Sequence, residues 1–401
     1  MSTWPSPERL VAPHVRGALA AALAGDLDRA RRSMHDADDR DPLAASVVRL
    51  ARGLEAVGRG DGVRARTLLL PCTRERDASM ALAATQALVD ERIRVRRFAP
   101  ARMLVRRLQR RLHQPADALW LDAMLAWIDL QRRGTLTDAR LVQLESRLER
   151  AFPAAIHALV HLLRAEHALL AGRLVHAVAA QREARPYVQS ARWAVLAWRH
   201  DALVRTLRAP YCEVEDWEEP LRPVSREEIA TVEARDWHLW IDVLHRRMVV
   251  RTAAGESSMH DLAIGRDTPT WNFVELLART PGRRLGWSHA ATSLDLEIAA
   301  LEKHAAALAE ALRAAGVSCE VSPRGFALRA TRFVFVFPSA AMAPTARRIL
   351  AELARKPGAR AADLEATGVA RRTVQRHLAA LRDAGYVRLV GGGSDARYAL
   401  V

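Results

Sequence analysis

The 401-residue sequence is poor in lysine and in cysteine, and both shortages exclude classes of protein. Only two of the 61 basic residues are lysines, Lys303 and Lys356. Neither lysine follows a glycine, which excludes a phosphate-binding loop of the Walker type. The three cysteines, Cys72, Cys212 and Cys319, form no CxxC pair, so neither a disulfide framework nor a zinc finger is expected.

Long apolar runs and catalytic motifs are also absent from the sequence. No stretch approaches 18 apolar residues, and the first residues lack the charged-then-apolar pattern of a signal peptide. We therefore expect a cytoplasmic, nucleoid-associated protein without a membrane segment. The sequence has no HExxH and no GxSxG motif, and His157 and His161 have no carboxylate between them. We expect these histidines to pack between helices, and we expect neither an enzyme nor a cofactor.

Positive charge is in excess and is unevenly distributed. The 61 basic residues face 46 acidic ones, which leaves a formal charge of +15, while 50% of the residues are hydrophobic, as in a folded protein. Residues 1–212 carry 35 basic and 22 acidic side chains, residues 213–343 carry 15 and 19, and residues 344–401 carry 11 and 5. An excess of this size favours a polyanionic partner, most often nucleic acid.

Residues 1–212 contain a repeated pattern of paired helices. Each copy has an apolar helix, a short turn marked by glycine (by Arg96 in the third copy) and a second helix with an early alanine. The alanines recur at spacings of 35 to 38 residues, at Ala30, Ala65, Ala101, Ala139 and Ala177. This period is typical of helix-pair solenoids and resembles the tetratricopeptide (TPR) family. An irregular helical bundle is the alternative.

A curved solenoid would present a surface for a protein, a peptide or a small ligand. Two arginine clusters, residues 94–97 and 106–111, are candidates for contact with nucleic acid or acidic peptides. Such clusters are more often solvated helix faces, and this is the alternative interpretation.

Residues 344–401 have the pattern of helix, helix, turn, helix and hairpin. Helices are expected over residues 345–356, 360–366 and 370–384, and strands over 386–390 and 397–401. In the third helix, Val374, Leu378 and Leu381 form a buried stripe at positions i, i+4 and i+7. Gly368 provides the left-handed turn that precedes it.

The run from Arg372 to Val387 resembles the recognition helix and wing of MarR-, ArsR- and related bacterial regulators. The resemblance implies that the third helix enters the major groove and that the wing reaches the neighbouring backbone or minor groove. Arginine can bind guanine O6 and N7, and glutamine can bind adenine. The predicted groove contacts are Arg372, Thr373, Gln375 and Arg376, and the predicted phosphate contacts are Arg371, Arg382 and Arg397. A winged helix used only for protein contact is the alternative.

Residues 213–338 resemble the OmpR-type effector domain, with strands before three helices and a closing wing. Strands are expected near residues 237–251, a helix over 271–279, and a long helix over 294–315. The hairpin around Pro323 and Arg324 matches that family's wing. The long helix carries four acidic and two basic residues, so it is poorly suited to a phosphate-lined groove. We expect a scaffold or dimer contact; a working DNA reader and an unrelated α+β fold remain open.

The expected fold is mostly α: a TPR-like solenoid over residues 1–212, then two winged-helix domains over 213–338 and 344–401. An acidic segment at 213–220 and a segment of small residues at 338–344 are expected to be linkers. The expected function is a homodimeric, sequence-specific transcription regulator that binds double-stranded DNA. A protein-binding adaptor whose winged helices are assembly modules is the main alternative, and a non-specific nucleic-acid coat is a further one.

Overall fold

The structure is a computed structural model that describes residues 13–35, 42–251, 259–261, 268–365, 368–391 and 396–401. These residues form two compact units, one ending at Leu207 and one beginning at Arg208. Within this part of the chain most residues lie in helices, which confirms the expectation of a mostly α fold. The division of the second unit into a middle and a last domain stays a prediction.

The first unit is built from helices that follow one another in pairs. They are α1 (Pro13–Leu23), α2 (Leu27–His35), α3 (Pro42–Gly58), α4 (Gly62–Cys72), α5 (Ala78–Arg94), α6 (Phe98–Gln109), α7 (Pro115–Arg133), α8 (Asp138–Glu145), α9 (Ala154–Leu170), α10 (Leu174–Ala191) and α11 (Ala194–Arg208). Within a pair the two helices contact each other, and the first helix of each pair contacts the first helix of the next. In the first four pairs, the second helix also contacts the helix that follows it.

The turn inside each pair has one residue in the left-handed backbone conformation. Four of these residues are glycines, which adopt positive φ without a Cβ penalty, and the third copy uses Arg96 with φ of 58°. The glycines are Gly25, Gly60, Gly134 and Gly172, with φ between 71° and 78°. The third copy therefore has the same turn geometry although Arg96 stands where the other copies have glycine.

The early alanines pack as expected in four of the five copies, and the exception is the fourth copy. Ala30, Ala65, Ala101 and Ala177 have no exposed surface. Ala139, at the corresponding place in α8, is exposed, which corrects the sequence expectation for that copy. Helix α8 is the shortest of the helices that stand second in their pairs. It buries Leu141 and Leu144 instead of Ala139, so a different side of α8 faces α7 and α9.

The second unit alternates strands and helices. Its elements are β1 (Pro210–Asp216), β2 (Arg222–Ser225), α12 (Arg226–Glu233), β3 (Leu239–Asp242), β4 (Arg247–Arg251), β5 (Met259–Asp261), α13 (Thr268–Arg279), β6 (Arg284–Gly286), α14 (Trp287–Leu294), α15 (Ile298–Ala314), β7 (Ser318–Ser322), β8 (Gly325–Arg329), β9 (Phe333–Pro338), α16 (Pro344–Arg355), α17 (Ala361–Glu365), α18 (Arg371–Asp383), β10 (Val387–Val390) and β11 (Arg397–Leu400). A short 3₁₀ turn at Pro281–Arg283 precedes β6.

A six-stranded sheet of order β2-β1-β9-β3-β4-β5 begins the second unit. Its pairs are antiparallel except for β3 with β9, which run parallel. One continuous apolar core joins β3, β4 and β9 to α13, α14, α15 and a three-stranded sheet of order β6-β8-β7. Phe273 and Phe326, both at most 1% exposed, meet edge to face in this core.

The acidic segment expected to be a linker is partly a strand. Glu213 to Asp216 lie in β1, paired with β9, with Val214 and Asp216 buried and Glu213 and Glu215 half-buried. Asp216 lies 3.4 Å from Arg235, and Glu215 pairs with Arg283, so arginines distant in sequence balance the acids. These arginine partners offset the cost of placing several carboxylates in one strand. The local sequence does not show which arginines they are.

The long helix expected over residues 294–315 is formed by α15, which begins four residues later than expected. Asp295 adopts a left-handed conformation with φ of 52° and ends α14, and α15 begins at Ile298. Because Asp295 and Glu297 lie outside it, α15 has only Glu302 and Glu310 against Lys303 and Arg313. The helix is therefore balanced in charge rather than net negative.

Candidate nucleic-acid interface

The last part of the chain holds three helices around a small core. Ile349 and Leu353 of α16, Leu364 of α17, and Val374 and Leu378 of α18 are fully buried. Pro357 and Gly358 follow α16, and Gly368 has φ of 79° in the turn before α18. All three helices and both strands lie within a few residues of their sequence-based bounds.

A β-hairpin completes this domain. Strands β10 and β11 pair antiparallel from Val387 with Leu400 to Val390 with Arg397. Ala359, between α16 and α17, adds a bridge to Tyr398 on the other side of β11, with the Tyr398 N–H donating to the Ala359 oxygen at 2.8 Å. The expected hairpin is therefore formed, and its tip, residues 392–395, lies outside the described residues.

Helix α18 exposes a basic face opposite its buried stripe. Since Val374, Leu378 and Leu381 face inward, the intervening positions are directed away from the core. Four of the predicted contact residues, Arg371, Arg372, Gln375 and Arg376, are exposed over the first two turns, and Thr373 is half-buried. The structure thus brings these five residues together on the first half of α18.

The seven predicted contact residues differ in how free their side chains are. Among the described contacts, Arg372, Gln375 and Arg376 make no side-chain hydrogen bond or ion pair. Arg371 lies 3.5 Å from Glu365, and Arg382, near the end of α18, lies 3.2 Å from Asp383. Both pairs are at the surface, where they contribute about 0–1 kcal/mol and yield readily to a competing phosphate.

Arg397 lies apart from the helix, at the beginning of β11 beyond the hairpin tip. It is exposed and donates from Nη1 to the Gly358 oxygen at 3.3 Å. Its neighbour on the hairpin, Arg388 of β10, is half-buried, and burial lowers the pKa of that guanidinium. Arg397 therefore presents the more accessible charge on the wing.

A buried polar cluster, which we call the anchor, joins the end of α18 to the six-stranded sheet. Arg226 at the start of α12 is 1% exposed, lies 3.6 Å from the ring centre of Tyr211 and donates to the Gly385 oxygen at 2.5 Å. Tyr386 stacks on Tyr211 and donates to its backbone oxygen. Sequence reasoning missed the anchor, because 159 to 175 residues separate its partners.

The anchor continues through His245 to the end of β11. The Tyr211 hydroxyl donates to the Val401 oxygen at 3.2 Å, and His245 Nε2 lies 3.3 Å from the same oxygen. Burial by itself would lower the pKa of His245, but Asp242, 2.7 Å from Nδ1, and the contact with Val401 raise it above its ordinary value. Burial raises the pKa of Tyr211 and of Tyr386, so both phenols are protonated at neutral pH.

The second arginine cluster of the first unit, residues 106–111, contacts both the protein backbone and a cavity. Arg111 donates to the carbonyl oxygens of Thr73, Arg74 and Glu75 at 2.8 to 2.9 Å, so it ties the end of α6 to the turn after α4. A cavity of about 210 Å³ between α4, α5 and α6 has Arg107 in its wall. Its other lining residues are Arg66, Leu70, Leu88, Arg92, Pro100, Met103 and Leu104.

The histidines of α9 have partners within the protein. His157 Nε2 lies 3.1 Å from the Glu149 oxygen, and His161 lies 3.4 Å from Glu183. Both rings stack on Tyr187, and burial lowers the pKa of both imidazoles. His167 lies 2.9 Å from Asp138. Among the described side chains, no group of three or more metal-ligating residues comes together.

Comparison with known proteins identifies the class of the last domain. Residues 342–388, which span α16 to the beginning of β10, match the model of a winged helix-turn-helix DNA-binding family. The end of the chain is therefore a winged helix-turn-helix domain. No curated protein and no solved structure matches the chain significantly. Within the described residues, no helix has the length and apolar character needed to cross a membrane.

Proposed function

We propose that this protein is a sequence-specific DNA-binding transcription regulator of the bacterial kind, acting by binding rather than catalysis. The observation that carries the proposal is the exposed face of α18, with Arg372, Gln375 and Arg376 unengaged within a winged helix-turn-helix domain. Their side chains offer the donors and acceptors that discriminate guanine and adenine in the major groove. Arg371 and Arg382 of α18 and Arg397 of the wing would bind phosphates.

We further infer that the middle part of the second unit is another winged helix, similar to the OmpR type. The order α13, β6, α14, α15, β7, β8 repeats the order α16, Ala359, α17, α18, β10, β11. In both arrangements, the segment just before the second helix (β6 or Ala359) pairs with the last strand (β8 or β11). Helix α15 occupies the place of α18 but carries two acids and two bases, so we assign base recognition to α18 alone.

For the first unit we infer a TPR-like solenoid that senses or docks a partner. Five turns with a left-handed residue and the contacts between successive first helices support a stacked repeat. We also propose a homodimer, because one winged helix contacts few bases and paired half-sites multiply specificity.

Selection of bound DNA from a random pool with the full-length protein tests the proposed function. We expect an enriched sequence made of two symmetry-related half-sites. A matched selection with the Arg372→Ala/Arg376→Ala double variant should enrich no such sequence. If wild-type protein enriched no sequence, the proposal would be contradicted. Uniform retention of all DNA would then favour a non-specific nucleic-acid coat. No retention of DNA would favour the protein-binding adaptor.

Replacement of Arg397 by alanine is expected to weaken binding to selected and scrambled DNA by the same factor. A phosphate contact carries no sequence information, so the specificity ratio should be unchanged. The slope of log K against log salt should decrease in magnitude by about 0.9, the value for one phosphate contact. Fluorescence anisotropy titrations at several salt concentrations measure both quantities. Arg329→Ala, at an exposed position on β8, is the control, and a change in specificity ratio would refute the assignment.

A further inference from the structure

The cavity between α4, α5 and α6 is lined by both arginines and apolar side chains. Its volume of about 210 Å³ exceeds the roughly 150 Å³ that holds a benzene molecule and is below the roughly 300 Å³ of a pocket for a drug-sized ligand. Each of the three helices contributes residues about one turn apart, so one face of each helix forms the wall. Three of the eight lining residues are arginines and the other five are apolar, a composition that suits a small molecule with an apolar body and a negative charge.

The apolar part of the lining is partly exposed to solvent. Leu88 of α5 is buried, whereas Leu70 of α4 is 41% exposed and Met103 of α6 is 53% exposed. Covering large exposed apolar side chains with an apolar group is favourable, and such surfaces beside polar residues are typical of ligand-binding grooves. The methionine side chain is flexible and polarisable, so Met103 can adapt to the shape of a ligand. The cavity is therefore accessible from solvent and can enclose an apolar group.

Two of the lining arginines, Arg66 and Arg92, share one acidic partner. Arg66 Nη1 lies 3.2 Å from Glu91 Oε1, and Arg92 Nε lies 3.6 Å from Glu91 Oε2. Glu91 is buried, and an added Cβ at Gly62 would lie 2.7 Å from Glu91 Oε1, so the glycine leaves room for the acid. Among the described ion pairs, one carboxylate thus faces two guanidinium groups, which leaves an excess of positive charge at the cavity.

Arg107 contributes a third positive charge to the cavity, from α6. Its side chain is exposed and makes no hydrogen bond or ion pair among the described contacts. Arg111, one turn later, is by contrast held by the carbonyl oxygens of residues 73–75. A guanidinium binds a carboxylate through two parallel hydrogen bonds. Within the described contacts, Arg107 is therefore available to bind an anion beside the apolar part of the lining.

We propose that this cavity binds a small organic acid, a carboxylate on an aromatic or short aliphatic body. The carboxylate accepts hydrogen bonds from Arg107, and the apolar body packs against Leu70 and Met103. The excess charge at Arg66 and Arg92 adds attraction. An inorganic anion would leave the apolar side chains uncovered, and a neutral apolar molecule would leave the charge unbalanced. As the sensing site of a transcription regulator, the cavity rests on the proposed function; ligand binding itself does not require DNA.

The test is calorimetric titration of the full-length protein with benzoate and with octanoate, without DNA. We expect at least one of these acids to bind with a submillimolar dissociation constant. The matching amides, benzamide and octanamide, lack the charge, and acetate lacks the apolar body, so each should bind at least tenfold more weakly. No binding of either acid at millimolar concentration, or equal binding of acid and amide, would overturn the proposal.

Two variants at exposed positions separate ligand binding from folding. Arg107→Ala should weaken binding of the acid at least tenfold and leave the midpoint of thermal unfolding unchanged. Met103→Glu places a carboxylate four residues before Arg107, a pairing that favours the helix, so it should occupy the guanidinium and weaken binding at least tenfold in a folded protein. Arg64→Ala, at an exposed position of α4 outside the cavity lining, is the matched control and should bind as wild type does. The site would be refuted if both Arg107→Ala and Met103→Glu bound the acid with wild-type affinity.

Affinity for the selected DNA, measured with and without the acid, separates this proposal from the proposed function. A change in DNA affinity supports the sensing role of the cavity. Binding of the acid by a protein that enriches no DNA sequence would contradict the proposed function and leave the site intact. Unchanged affinity for the selected DNA would refute only the sensing role.

Discussion

Alanine at Arg372 or at Arg376 is expected to reduce affinity for the selected DNA sequence about ten- to a hundredfold. A bidentate pair between an arginine and a guanine contributes about 1–3 kcal/mol of discrimination, and alanine removes it entirely. Both side chains are exposed, so the fold should be unaffected and the midpoint of thermal unfolding unchanged. Affinity for scrambled DNA should fall much less, because only the general charge is reduced.

Anisotropy titrations on selected and scrambled duplexes at one fixed salt concentration measure this effect. The control is Arg329→Ala, which removes one exposed arginine outside the winged helix-turn-helix match. Lysine at position 372 provides a second comparison, since it keeps the charge but cannot form the planar two-bond contact. Equal losses on both duplexes would mean that α18 contacts phosphates and that another element recognises bases.

Alanine at Arg226 is expected to lower the free energy of unfolding of the second unit by about 2–4 kcal/mol. The substitution removes a charged hydrogen bond to the Gly385 oxygen and a desolvated contact with the Tyr211 ring. It also leaves a cavity where a side chain only 1% exposed had packed. The anchor would then hold the end of α18 only through the two tyrosines.

Urea titration of the full-length protein, followed by tryptophan fluorescence and circular dichroism, measures the loss. Arg208→Ala removes an exposed arginine paired with Glu227 and should change stability by less than about 1 kcal/mol. Tyr211→Phe keeps the ring under Arg226 and loses the hydroxyl contacts with Val401 and His245, so its effect should be about 1–2 kcal/mol. If Arg226→Ala were as stable as wild type, the anchor would contribute nothing to the fold.

The last domain could be predicted closely because its information is local. Val374, Leu378 and Leu381 recur at helical spacing, Gly368 marks a turn that needs positive φ, and the hairpin follows within a few residues. The same periodicity determines which residues of α18 face outward. The candidate contact residues therefore followed from the sequence, while their contacts with DNA stay a prediction.

Expectations that depended on distant partners were less accurate. The acidic residues after Cys212 were expected to form a linker. Their arginine partners, Arg235 and Arg283, are distant in sequence, so nothing in the local sequence indicated that a strand could hold these acids. The start of α15 was placed four residues too early because residues 294–297 include good helix formers and the left-handed Asp295 gives little signal in the sequence. Ala139 matched the repeat by spacing, but the shorter α8 turns a different side toward its neighbours.

By itself, the sequence determined the helical periodicity, the turn positions and the basic outer face of α18, because each depends on residues a few positions apart. Only the tertiary structure placed Arg226 against Tyr211 and Gly385, and Arg199 of α11 beside Trp127 and Glu166. Burial and the hydrogen bonds that compensate for it depend on which segments meet in the folded chain. Residues up to 190 positions apart meet in the anchor, beyond the range of any local pattern.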